Sequence, residues 1–404
     1  MPMNAQVSEA VLMVTGGRVV VPGAVLSPGT VVVDGGKILA VEEGVYREGE
    51  VLPSGLRATG EVIRAEGLTV APGLIDIHVH GAVGYDTMDA TPEAIAGMAR
   101  FFAQHGVTSF LPTTVTAGRS ETLAAIENVA RCLGPQAEGA EVLGIHLEGP
   151  YVNAEKKGAQ SPLHIRPADP EEYRAFLEAG PVRLITLAPE IEANRDLIPF
   201  AVEHGAAVAV GHSTASYDEV LEAVSLGLNQ ATHTFNGMNG LHHRHPGTVG
   251  AVLSCDEIYA QVIVDFIHLH PAVVKILVRA KGLERTVLIT DAIRAAGMPD
   301  GTYELGGLEV TVKDGAARLA SGSLAGSTLT LDRAVRNVME ATGLSLAETL
   351  TMATITAAHS IGEAERKGSL EPGKDADIIL LDDAHQVQMT MVRGHVVYRA
   401  DKAA

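Results

Sequence analysis

The chain has 404 residues, 46% of them hydrophobic, enough for a large core and two domains. Its formal net charge of −19 argues against a general nucleic-acid or anionic-membrane binder, though not against a local basic pocket. Two cysteines, Cys132 and Cys255, are too few for a disulfide framework and point to a reducing compartment.

The N-terminus lacks a basic-then-apolar signal pattern, and no apolar run reaches transmembrane length. The expectation is a soluble cytoplasmic protein that engages neither membrane nor nucleic acid. Residues 1–70 read as short strands: "VLMVTGGRVVV", "TVVVDGGKILAV" and "EVIRAEGLTVAPG" carry β-branched residues separated by Gly and Asp-Gly turns. Residues 366–404 read the same way, in "ADIILLD", "VQMTMVRG" and "HVVYRAD". Neither end suffices alone, so both are expected to build one small β-sandwich, with the middle of the chain inserted into it.

That middle, 71–365, alternates apolar strand runs with helical stretches. The strand candidates are 75–80, 107–112, 142–148, 182–187, 207–212, 230–233, 259–264 and 286–290. Helical patterns such as "TPEAIAGMARFFAQHG", "SETLAAIENVARCLG" and "YDEVLEAVSLG" fall between them. Eight strand–helix units predict an α/β fold, a (β/α)8 TIM-like barrel, which typically needs about 250 residues plus insertions. Residues 302–320 read as a β-hairpin inserted after the eighth strand.

The first barrel strand ends "GLIDIHVHG". Side chains alternate along a strand, so His78 and His80 share one side, with Cα atoms about 6.6 Å apart, twice the strand rise. Both imidazoles can then reach one ion. The pattern repeats around the predicted rim. Strand three ends with Glu148 in "GIHLEGP", strand five with His212 in "AVGHS", strand six with His233 in "ATHTFNG" and strand eight with Asp291 in "LITDA". The carboxyl ends of barrel strands are where such folds build active sites. A lone histidine there is more often a hydrogen-bonded structural group. Six converging imidazole and carboxylate groups have no comparable structural purpose, because buried charge is costly unless paired or metal-bound.

Imidazole and carboxylate ligands suit Zn2+, Fe2+ or a similar divalent ion. An open position on the ion would hold a water and lower its pKa toward ~7. A neighbouring carboxylate can take that water's proton and later deliver it to a leaving group; Asp291 is the candidate general base and acid. His146, two residues before Glu148, shares its strand face but lies deeper, and reads as a packed or supporting histidine.

His-x-His after the first strand, the strand-eight aspartate and the flanking sandwich resemble the amidohydrolase superfamily, as does the return segment "GSLEPGKDADIILLD". "HLEGP", "GHSTASYDE", "ATHTFNGM" and "LITDA" resemble, more closely, the deacetylase family acting on N-acetylglucosamine 6-phosphate, over nearly the whole chain. The resemblance implies hydrolysis of the sugar's acetamide to glucosamine 6-phosphate and acetate, with hydroxide on the metal as nucleophile. It implies one firm metal site of Glu148, His212 and His233. Some members keep the first-strand histidines and hold a second ion there, so His78 and His80 admit one or two ions per subunit. The superfamily's strand-four carboxylated lysine is absent from "RLITLAPE", leaving Glu148 as the bridging ligand.

The resemblance also implies substrate contacts. His268, in "VDFIHLHP", would touch the sugar and help polarise the acetyl carbonyl; Asn236 and Gly237, in "FNGM", would hold the phosphate end. Arg244, in "HHRHPG", would reach the neighbouring active site of a homodimer. Gln160 stands where many members carry a histidine that contacts the sugar. Asn236 also reads as a turn former and Arg244 as a solvated charge. Two other functions stay open. One is a different amidase of the same superfamily, acting on a cyclic amide or an N-acyl amino acid. The other is a catalytically dead sugar-phosphate sensor, although such proteins usually forfeit a ligand or the catalytic acid.

Overall fold

A computed structural model describes residues 9–400. Both ends of the chain meet in one eight-stranded sheet. The N-terminal part supplies Glu9–Val21, Ala24–Asp34, Lys37–Glu43, Arg57–Arg64 and Thr69–Pro72; the C-terminal part supplies Ile378–Leu381, Val387–Val392 and His395–Arg399. The two parts join where Thr69–Pro72 pairs antiparallel with Ile378–Leu381. Alternating Val, Ile, Leu and Met from both parts, among them Val14, Val31, Ile378 and Met391, pack into a separate apolar cluster.

Gly73 ends this sheet and starts the next. Its N–H bonds the Asp377 carbonyl, and a Cβ here would collide with the Thr108 side chain. Only glycine lets the chain pass so close to its neighbour.

From there eight strands run parallel in chain order. Leu74–Val79 pairs with Val107–Pro112, and Ile145–Glu148 begins a run through Val182–Leu187, Ala207–Val210, Gln230–Ala231, Tyr259–Ile263 and Thr286–Ile289. Parallel bridges link the two runs at both seams, Thr113 to His146 and Val79 to Ala292. These strands are buried on both faces, as continuous apolar runs require.

Each strand is followed by a helix before the next begins. Local sequence explains several starts. Thr91 and Asp169 cap Pro92–Gln104 and Pro170–Ala179, each with proline at the first turn. Ser216 and Glu219 form a reciprocal capping box on Tyr217–Ser225. The expected hairpin after the eighth strand is a three-stranded antiparallel sheet, Gly301–Leu305, Leu308–Lys313 and Ala316–Arg318. Its turns, Gly306-Gly307 and Asp314-Gly315, have both residues at positive φ, as tight hairpins demand.

A buried ionic cluster ties the terminal sheet to the parallel strands. Lys367 is fully buried, and its Nζ lies 2.6 Å from Glu141, 3.2 Å from Asp375 and 2.5 Å from Asp377. Among the described residues, no helix is long and apolar enough to cross a membrane.

Candidate metal centre

The residues expected at the strand ends lie together. Three of them sit two residues past the end of their strands, and the backbone there is left-handed: φ is 47° at His212, 32° at His233 and 51° at Asp291. The sequence reading ran two of those strands, 207–212 and 230–233, to the histidines themselves and stopped the third, 286–290, one residue before Asp291. The structure corrects this, because a left-handed residue leaves the ladder and turns its side chain over the strand ends. Non-glycine residues hold this conformation only where surrounding contacts enforce it. For Asp291 those contacts are its N–H to the His78 carbonyl at 2.9 Å and its own carbonyl to the Ser327 N–H at 2.7 Å.

Glu148 is the centre of the group. Its Oε1 lies 3.2 Å from His212 Nε2, 3.2 Å from His233 Nε2 and 3.6 Å from His78 Nε2, while Oε2 lies 3.2 Å from His80 Nε2. Asp291 Oδ1 is 3.4 Å from His78 Nε2 and 3.2 Å from His80 Nε2. Within each histidine pair the Nε2 atoms are 3.4 Å (His78, His80) and 3.2 Å (His212, His233) apart. Donors bound at about 2.1 Å around a tetrahedral ion stand about 3.4 Å from one another. The donor set therefore fits a divalent ion in two overlapping groups, Glu148–His212–His233 and His78–His80–Glu148.

The electrostatics agree with the ligand role. Burial alone would raise the Glu148 carboxyl, but His78 together with the His212 and His233 hydrogen bonds holds it well below the usual range. At Asp291 burial is likewise outweighed, by His78 and His80, leaving its carboxyl at about 2. Both carboxylates are thus ionised at neutral pH. His80 goes the other way. Burial opposes its protonation, yet Asp291 and Glu148 raise it well above the ordinary imidazole value. A dication among these groups takes the place of such protons, so metal binding here releases them.

Neighbouring groups aim the ligands. His212 Nδ1 bonds the Lys156 carbonyl at 2.8 Å, leaving Nε2 for the centre. Gln160 donates from Nε2 to Glu148 Oε2 at 2.8 Å and accepts the Thr116 N–H at 2.7 Å. It lines the cavity while orienting Glu148. His146 is no part of the donor set: its Nε2 is 2.7 Å from Thr186 Oγ1, and burial, then the nearby His78 charge, holds it well below the usual imidazole range.

A cavity of about 270 Å3 opens over the centre. Asn236, Gly237 and His268, singled out in the sequence, line it with Gln160, Glu148, His80, His212, His233 and Asp291; His78 lies beneath. The Gly237 carbonyl accepts the Ser213 N–H, tying that loop to the residue after His212. Leu305, Ser323 and Leu324 also line it, so the inserted hairpin and the loop after it form part of the roof. The sequence reading placed the hairpin but gave it no part in the site. It also missed Asp265, which accepts a 2.7 Å hydrogen bond from His268 Nδ1; an aspartate three residues before the histidine, at a strand end, was the available signal. Arg244 does not line this cavity in its own chain. It is exposed, bonds His243 Nε2 at 2.7 Å and borders an adjacent cavity with Tyr217, Asn239 and His245. A larger cavity, about 490 Å3, lies between the turn at residues 20–25 and the helix Leu346–Ala353. Its charged lining residue is Glu348, which caps that helix.

Residues 69–397 match the Amidohydrolase family, and the chain belongs to that family. It is 42% identical to the N-acetylglucosamine-6-phosphate deacetylase of Vibrio furnissii over 331 residues, covering 81% of this chain and 83% of that protein. It is 40% identical to the N-acetylgalactosamine-6-phosphate deacetylase of Escherichia coli O157:H7, covering 89% of this chain and 94% of the relative. A variant N-acetyl-D-glucosamine-6-phosphate deacetylase from Mycobacterium smegmatis, solved in complex with N-acetyl-D-glucosamine-6-phosphate, matches with a TM-score of 0.88 at 32% identity, over 96% of this chain and 99% of that one. The α/β fold and the family expected from the sequence are those found.

Proposed function

We propose that this protein hydrolyses the acetamide of N-acetylglucosamine 6-phosphate to glucosamine 6-phosphate and acetate. The observation that carries the proposal is Glu148 set between two histidine pairs with Asp291 beside them, in a chain whose relatives of similar length bear that activity in their names.

Glu148, His212 and His233 are the residues that would hold the first ion, and His78 and His80, sharing Glu148, a second; the imidazole and carboxylate donors suit Zn2+ or Fe2+. When bound, the ion supplies Lewis acidity and a water of lowered pKa. The chain's own groups do the rest. Asp291, ionised at neutral pH, accepts the proton of the attacking water on its carboxylate and returns it to the departing sugar nitrogen. His268 faces the acetyl carbonyl and stabilises the charge that develops on its oxygen. Asn236 and Gly237 orient the sugar phosphate, Gln160 holds Glu148 beside the sugar, and Leu305 and Leu324 screen the site from bulk water. Arg244 serves the phosphate in the neighbouring site of a homodimer. The enzyme is cytoplasmic.

The architecture is read in the same terms. Residues 71–365 form the (β/α)8 barrel, supported by eight parallel strands in chain order and a bridge at each seam. Residues 1–70 and 366–404 are assigned to the β-sandwich, an assignment supported over 9–70 and 366–400 by their shared sheet and its apolar cluster, while 1–8 and 401–404 lie outside the described residues.

Incubation with N-acetylglucosamine 6-phosphate should release acetate and a free amino sugar in equal amounts. Turnover of neither this sugar nor its relatives would overturn the proposal. A second reading, the galactosamine epimer as preferred substrate, rests on the 40% identity to the Escherichia coli enzyme. The ratio of kcat/KM for the two epimers decides between them.

A further inference from the structure

We infer that Asp265 is a positioning residue, which locks the His268 ring with its proton on Nδ1 and Nε2 turned to the cavity. This deepens the proposed function and, for its kinetic part, rests on it. Asp265 follows the strand Tyr259–Ile263 by two residues, on the rim that carries the metal ligands. Its Oδ1 accepts the N–H groups of Ile267 and His268, each at 2.8 Å, and Oδ2 lies 2.7 Å from His268 Nδ1. The turn between them needs Phe266 at a φ of 63°, which those two N–H bonds enforce. Both side chains are nearly buried, 5% exposed for His268 and 9% for Asp265. Burial opposes ionisation of Asp265, yet the bond from His268 outweighs it and holds the carboxyl below its ordinary range.

An ionised carboxylate can only accept hydrogen bonds, so the 2.7 Å contact requires the proton on Nδ1. The bond made by one ring nitrogen sets what the other can do. Nε2 is then left free for the substrate, on a ring held at one place and angle beside the cavity. The short Asp265 tether also forbids the ring flip that would exchange the two nitrogens.

Asp265→Asn separates this role from turn formation. The Asn oxygen can still accept both backbone N–H groups, but its amide then presents a donor to Nδ1 and drives the proton to Nε2. Nitrogen spectra of labelled histidines, with His268 assigned from its absence in His268→Ala, read the lock without substrate. They should show a proton on Nδ1 in the wild type and none there in Asp265→Asn. In assays kcat should fall roughly tenfold or more, with KM and metal content little changed, because a neutral amide replaces the charge-assisted bond that holds the ring in place. The Asp265→Asn/His268→Ala double variant should match His268→Ala within about threefold, because Asp265 acts only through that ring. Asp265→Ser, which caps the same turn without reaching Nδ1, serves if the Asn variant does not fold.

An unprotonated Nδ1 in the wild type, an Asp265→Asn kcat within about twofold of wild type, or fully additive losses in the double variant would each overturn the inference. So would failure of both the Asn and Ser variants to fold, which would assign Asp265 to the turn alone. A wild type that releases no acetate defeats the functional reading instead, and the spectra still decide the lock.

Discussion

The main-chain N–H of Asp291 bonds the carbonyl oxygen of His78 at 2.9 Å. This bond closes the seam between the first and eighth parallel strands. It also fixes the carboxylate beside the first histidine pair, 3.2 Å from His80 Nε2. A group so held, ionised and next to the ligands, is placed to move a proton. Asp291→Asn should keep the fold and bind the sugar phosphate, but lose at least ~100-fold in kcat. Metal content measured on the same sample separates lost proton transfer from lost ligation. A kcat near wild type would remove Asp291 from the chemistry.

The two histidine pairs should not be equal. His212 and His233 share Glu148 Oε1 at 3.2 Å each, while His78 stands 3.6 Å from it. His212→Ala or His233→Ala should strip the firmly held ion and abolish turnover, because too few protein ligands remain. His78→Ala should cost less metal. Elemental analysis of purified variants reads this directly, and full metal content in His212→Ala would contradict the assignment.

Much of this was legible in the sequence, and the reasons are specific. The parallel strands are continuous apolar runs, and helix starts such as Thr91-Pro92 and Ser216–Glu219 carry their caps in residue type. His78 and His80 declared themselves by alternation. The left-handed turns at His212, His233 and Asp291 did not, since neither histidine nor aspartate demands positive φ; at Asp291 the His78 carbonyl and Ser327 N–H hold it, at His212 the Asn153 N–H, and at His233 a local turn closed by the Asn236 N–H. Lys367 shows the same limit. Its partners lie on Glu141 and on Asp375 and Asp377, and no local pattern joins residue 141 to the return segment.

That cluster makes its own prediction. Lys367→Ala leaves three carboxylates facing one another in the interior, with Arg366 still reaching Glu141 and Asp375 and Lys37 and Arg393 reaching Asp375. Removing one partner of a buried ionic group typically costs about 3–5 kcal/mol. Denaturant unfolding should show a loss of that order or failure to fold. A change near zero would mean that the cluster does not hold the terminal sheet to the parallel strands.

Acid should find a second weak point at Asp332. Burial alone would raise its carboxyl, but the His105 hydrogen bond and then the Arg336 charge hold it at about 2. A carboxyl depressed on folding stabilises the protein above its unfolded value, about 3.9, and that stability is lost as pH falls from there through about 2. The contribution is about 2 kcal/mol at neutral pH. Asp332→Asn should therefore be less stable than wild type at pH 7 and converge with it in strong acid. A stability gap that does not change with pH would refute the linkage.

The proposed role of Arg244 in the neighbouring site of a homodimer can be tested. It lies outside the cavity of its own chain, exposed beside Tyr217 and His245. Arg244→Ala should raise KM for the phosphorylated sugar far more than for its unphosphorylated form. Mixing Arg244→Ala with Asp291→Asn and letting subunits re-pair makes about half the dimers mixed, each with one intact site, so activity should recover to roughly a quarter of wild type. No recovery would contradict a role for Arg244 in the neighbouring site.

The central claim is that the histidine–carboxylate centre works through a bound divalent ion. The most direct test strips metal with a chelator, confirms the folded state, and titrates Zn2+ or Fe2+ back while following acetate release from N-acetylglucosamine 6-phosphate. The apoprotein should be inactive, with activity returning in proportion to ion bound and saturating at one or two ions per chain. Full acetate release from verified metal-free protein would contradict it.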